Sequence, residues 1–206
     1  MTGDTTHPPR TTYHHGDLRR ALLVAAEAEL IERGIEGFTL RGVARRAGVS
    51  HAAPAHHFKD TAAMLTALAA TAAQRLKAAM SRRREAAPDD PRSRFVASGT
   101  GYIDFALENP ALFTLLFGSG RPDSDDPDLV RHAGAAFADL VEAIAAISGK
   151  DPLADAEGRL DVAAAWSLVH GAASLLVAGR MKPLRPAADA DREAWLQRLV
   201  GRIVPG

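Results

Sequence analysis

The chain has 206 residues, 47% of them hydrophobic, and its 25 Lys and Arg balance 25 Asp and Glu, so it is formally neutral. That length is enough to bury a core, while the absence of Cys excludes disulfides, thiolate zinc sites and a cysteine nucleophile. Neutrality removes the overall basic excess that marks many nucleic-acid binders, so any such function must rest on local charge.

Residues 1–12 are polar and proline-containing, which predicts a disordered arm rather than a signal peptide. No later run reaches the roughly 18 uninterrupted apolar residues of a membrane span, so no membrane partner and a cytoplasmic location are expected. Leu18, Leu22, Ala25 and Ala26 recur at helical spacing and predict a first helix over 17–33. Thr39 opens a second, because its hydroxyl can accept from an orphan first-turn amide, and Leu40, Val43, Ala44 and Ala47 keep the period. Gly48 stops it: a residue just past a helix end often takes positive φ, which glycine adopts without steric penalty. Val49 is expected to tuck beneath the corner and Ser50 to cap a third helix. A corner this tight holds the third helix across the second and leaves its outer face free to enter a DNA major groove, as in a helix-turn-helix. Arg41, Arg45 and Arg46 supply local positive charge on the second helix.

Three short helices share only a small core, and the apolar pattern over 60–84 predicts a long helix leading from this head into a body. The break from Glu85 to Pro91 precedes helices predicted over 92–108 and 111–117, separated by Asn109 and Pro110. Polar residues 118–127 read as a mobile loop, and 128–148 as a helix closed by Gly149 and Pro152. Two helices follow, over 154–178 and 191–203. The first carries Val162, Trp166, Val169 and Ala173 at near-heptad spacing, and the second carries Trp195, Leu196, Leu199 and Ile203. These stripes either meet their copies across a two-fold axis or fill the body's own core. With Ala, Leu and Arg abundant and no convincing strand, the expected fold class is all-α, the head spanning 13–60 and the body 61–206.

The corner from Thr39 to Ser50, running on to His56, His57 and Phe58, resembles the TetR family of transcriptional regulators. Tyr13 to Arg19 and the Gly37, Phe38, Thr39 connector are similar to that family's first helix and its exit. Trp166, His170 and Gly171 resemble the Trp-His-Gly signature of one group of TetR-type C-terminal domains, and Asn109 to Phe113 is similar to the same group. The resemblance implies a DNA-binding head, a helical body that takes a small-molecule effector, a homodimer on a palindromic double-stranded DNA operator, and repression relieved by the effector. Two places depart from the pattern. A leucine and a tyrosine usually precede the His-Phe pair, and here Pro54 and Ala55 stand there; a lysine often present at the next helix start is Thr61, for which Lys59 can substitute. Pro54 would fall at the fourth position of the third helix, removing an amide and disfavouring α geometry at Ala53, so a late start or a bend is expected. These departures keep an alternative open, a helical dimeric small-molecule-binding protein that has lost operator binding.

Phosphate contacts fix register and base edges supply specificity. His51, Ala52 and His56 are the candidates for base contact, with the methyl of Ala52 or Ala53 suited to a thymine methyl. Thr39, Arg41, Ser50, His57 and Lys59 are the candidates for phosphate contact, His57 having packing beside Phe58 as its alternative. In the body, Phe95, Tyr102, Phe105, Phe113, Phe117 and Trp166 are candidates to line an apolar pocket, with Tyr102 and His170 as polar handles, or else to be ordinary core. No catalytic, metal or cofactor site is expected: His51, His56 and His57 lack the spacing and acidic partner of a helical zinc pair, and phosphate-loop, dinucleotide and nucleophile-elbow signatures are missing.

Overall fold

A computed structural model of the chain describes residues 15–184 and 191–203, with side chains from residue 18 onwards in the first helix. The predicted arm over 1–12, together with Tyr13 and His14, lies outside the described residues. All regular structure among the described residues is helical, and the chain divides into two compact units, Met1–Thr61 and Ala62–Gly206.

The first unit holds α1 (His15–Arg33), α2 (Leu40–Arg46) and a 3₁₀ turn (Ala53–His56). Leu22, Ala26 and Leu30 lie four apart, hence on one face of α1, and are buried along with Val43 and Ala44 of α2 and with Phe38 and Phe58. Thr39 caps α2 as expected, its Oγ1 accepting from Gly42 N at 3.0 Å, and Gly48 turns the chain at φ +67°. The two helices approach so closely at Gly42 that a Cβ there would lie 1.9 Å from Glu29 Oε1. Glycine thus leaves room for a buried carboxylate beneath α2.

The third helix does not form as predicted. Ala53 N donates to Ser50 O at 3.0 Å and Ala55 N to Ala52 O at 3.1 Å, both i to i−3 bonds, and the Ser50 side chain caps nothing because Ala52 holds the cap position. The physical reason is Pro54. Without an amide it cannot make the i to i−4 bond that would start an α-helix, and it disfavours α geometry at Ala53, so the segment tightens to 3₁₀.

The second unit comprises α3 (Thr61–Ala86, starting at the boundary residue), α4 (Pro91–Glu108), α5 (Pro110–Gly118), α6 (Pro127–Ser148), α7 (Ala156–Val177), a short 3₁₀ turn (Lys182–Leu184) and α8 (Arg192–Val200), which ends in a 3₁₀ turn (Gly201–Ile203). Aspartates start three of them. Asp90, Asp126 and Asp155 accept from Ser93 N, Leu129 N and Gly158 N at 2.9, 2.9 and 2.8 Å, satisfying orphan first-turn amides.

α4 is central: Ile103, Phe105 and Ala106 are buried, and its two close approaches both use glycine. A Cβ at Gly101 would lie 2.7 Å from Ala79 O of α3, and one at Gly99 2.7 Å from Val200 Cγ1 of α8. Charged pairs bind the outer layers. Arg83 donates to Glu193 at 2.8 and 3.0 Å and to Asp104 at 2.8 Å, and Lys77 donates to Asp139 at 3.0 and 3.2 Å. The loop predicted as mobile is pinned, since Asp123 N donates to Thr66 Oγ1 at 2.9 Å. In α7, Val162, Ala165, Val169 and Ala173 are buried within this unit, as is Leu196 of α8. By length and composition α7 alone among the described helices would also suit a membrane, as core helices can, yet no run of it is uninterruptedly apolar to the expected length and its Val162, Ala165 and Val169 are packed within this unit.

Candidate DNA-reading surface and ligand cavity

In the head, the segment after Gly48 alternates anchors and exposed groups. Pro54 and Phe58 are buried, and the Arg19 guanidinium stacks 5.2 Å from the centre of the Phe58 ring. His51, Ala52, Ala55 and His56 point outward, His57 is half-buried, and Ser50, Lys59, Arg41 and Arg45 are exposed. Thr39 is exposed too, its hydroxyl engaged as the cap of α2. Of the arginines on α2, Arg46 is committed elsewhere. Its Nε donates to Glu29 at 2.5 Å and its Nη2 donates to Glu32, so it closes α1 onto α2 rather than facing a partner. The hydrogen bond and charge of Arg46 hold the Glu32 carboxyl below its usual pKa range, and the two glutamates raise that of Arg46. Exposed cationic side chains on this unit without an ion-pair partner among the described residues include Arg41, Arg45 and Lys59.

The body carries a cavity of about 540 Å³ between α3, α4, α5, α6 and α7, partly open to solvent, as the exposed Phe117, Phe137 and Trp166 show, and within the range typical of small-molecule sites. Leu76, Met80, Phe95, Tyr102, Phe117, Phe137, Leu140 and Trp166 form its larger walls, and among the described residues no charged side chain lines it. Phe95, Tyr102, Phe117 and Trp166 from the sequence set reach it. Phe105, Phe113 and His170 do not: Phe105 is buried core, while Phe113 and His170 stack against each other, ring centres 5.5 Å apart, behind Tyr102.

Tyr102 Oη and His170 Nδ1 are 2.9 Å apart, and Ser174 Oγ is 3.4 Å from His170 Nε2. Burial pushes the Tyr102 phenol up, opposed by a hydrogen bond from Trp166, and burial alone pushes His170 down. Both groups are therefore neutral near neutral pH. Tyr102 and Ser174 thus engage the two ring nitrogens of His170 from either side.

Residues 22–68 match the family described as bacterial regulatory proteins, tetR family, and residues 95–203 match the family described as tetracyclin repressor-like, C-terminal domain. The chain belongs to the TetR family. It is a transcriptional regulator with a DNA-binding helix-turn-helix, and its relatives are regulators rather than enzymes. The HTH-type transcriptional regulator BetI of Burkholderia cenocepacia (strain HI2424) is 35% identical over 187 residues, covering 79% of this chain and 95% of that protein. A structure of a protein of unknown function from Rhodococcus sp. RHA1 superposes with a TM-score of 0.75 at 32% identity, over 95% of this chain and all of that one. A TetR family transcription regulator from Marinobacter aquaeolei VT8 shares the fold with a TM-score of 0.64 at 18% identity, covering 91% and 95%.

Within this TetR-family body, sequence reading overlooked α6 as a wall of the cavity. Ala133, Gly134, Ala136, Phe137, Leu140 and Ala143 all face it. The available signal was the pairing of small residues with Phe137 on one helical face, a pattern that leaves space rather than filling it. Leu76 and Met80 of α3 were overlooked for the same reason that core and pocket walls share one periodicity.

Proposed function

We propose that this TetR-family regulator binds a palindromic operator as a homodimer, represses transcription from it, and is released when a small molecule occupies the body cavity. The carrying observation is the outward face of the head, where His51, Ala52 and His56 stand clear of buried Pro54 and Phe58 and are flanked by exposed Arg41 and Lys59. Thr39, Ser50 and His57 are assigned to the phosphate backbone with them. A homodimer is supported by α7, on which Leu160, Ala164, Ser167 and Leu175 form a stripe left exposed by the described residues, Leu160 being 60% and Leu175 47% exposed. A ligand that favours one separation of the two heads over the roughly 34 Å of a DNA turn shifts affinity by about 5- to 150-fold. Regulation of this kind belongs in the compartment that holds the DNA, here taken as the cytoplasm.

The test is selection of genomic fragments by the purified protein at moderate salt over several rounds. An inverted repeat is the expected product. On that repeat, Arg41→Ala and Lys59→Ala each lower affinity for every sequence and reduce the salt slope by about 1, as loss of one phosphate contact requires. Unchanged slopes in both variants would remove these residues from the interface. The 3₁₀ conformation of Ala53–His56 favours a second reading, a ligand-binding dimer without an operator. Failure to enrich any fragment even at low salt would establish that reading instead.

A further inference from the structure

The cavity offers one uncommitted polar group. Ser98, only 7% exposed, lines it, and its hydroxyl has no hydrogen-bond partner among the described residues. Tyr102, one helical turn on along α4, is already engaged with His170. The nearby acid of α6, Asp139, is held by Lys77 and Arg84 at 3.0 and 3.4 Å and does not line the space. A charged ligand would therefore leave water for an apolar cavity without meeting a counter-charge, which costs more than placing a neutral one there.

We infer that the effector is an uncharged, mainly apolar ring compound carrying one hydroxyl or carbonyl, with the ring between Phe117 and Trp166 and the polar group on the Ser98 hydroxyl. This inference rests on the reading of the cavity as the effector site and adds the ligand's chemical class. A hydroxyl that faces the cavity without a protein partner can bind such a group with little competing cost, and rejects a purely apolar analogue only modestly.

Calorimetric titration of the full chain with 2-naphthol, naphthalene, 2-naphthoate and 2-naphthyltrimethylammonium tests it. Expected is one 2-naphthol per chain, bound at least about tenfold more tightly than either charged analogue. Ser98→Ala should weaken 2-naphthol by about three- to tenfold and leave naphthalene unchanged, which a general packing defect would not do. Ala136→Phe, filling the cavity from its half-buried α6 wall, should abolish binding of both while helicity and melting confirm the fold. Equal or tighter binding of a charged analogue, indifference of 2-naphthol to Ser98→Ala, or binding by none of the four overturns the ligand class. Probe binding that survives Ala136→Phe overturns the cavity as the effector site, a separate failure.

Discussion

Arg46 looks from its spacing like one of three cations offered by α2, yet it spends its guanidinium on Glu29 and Glu32. Glu29 is 3% exposed at its side chain, so removing its partner leaves a buried charge uncompensated. Arg46→Met should lower the urea midpoint of the head's unfolding, whereas Arg45→Met at an exposed position should change it little. His170 makes a second residue-scale statement, about pH. Burial depresses its folded pKa, so the unfolded chain binds the proton more readily. The stability it contributes is complete above the ordinary histidine value of about 6.5 and is lost as pH falls below that through the depressed value. His170→Asn should flatten this limb in a series of melting temperatures from pH 7.5 to 4.5; an unaltered decline would assign it to other groups.

At the scale of elements, the close approaches of α4 separate two kinds of glycine. The Cβ of Gly101→Ala would meet backbone, Ala79 O at 2.7 Å and Met80 Cα at 3.0 Å, so α3 and α4 must move apart. That of Gly99→Ala meets the end of a side chain, Val200 Cγ1 at 2.7 Å, which can rotate. The expected cost is about 1–3 kcal/mol for Gly101→Ala and the lower end of that range for Gly99→Ala, read from thermal or urea unfolding. Helix ends were largely legible because they are local: Thr39, Gly48 and Gly149 perform their capping and turning roles, with Gly48 and Gly149 at φ +67° and +72°. The recognition segment was legible only in part. Proline announced a disturbance, but whether a bent α-helix or a 3₁₀ turn results depends on Pro54 and Phe58 being buried in the head, a packing outcome.

For the whole molecule, the apolar stripes of the last two helices divide differently from their spacing. Val162, Val169, Ala173 and Leu196 serve the body's own core, and the uncovered face of α7 runs through Leu160 and Leu175. Leu160→Arg combined with Leu175→Arg should yield a monomer by sedimentation with helicity retained, since both side chains are already exposed in one chain. A persistent dimer would place the two-fold axis elsewhere.

What this sequence determined by itself is whatever depends on neighbours along the chain: helical class, helix ends, the corner at Gly48 and membership of the TetR family through the residues around it. Tertiary structure decided which apolar faces meet and which enclose space. Periodicity marks a face as apolar without saying whether a neighbour touches it, so Phe105 and Phe113 became core, Phe117 and Trp166 became cavity wall, and α6 entered the site unannounced. Arg46 was decided in the same way, because the distance from α2 to Glu29 is set by how closely Gly42 lets two helices pack.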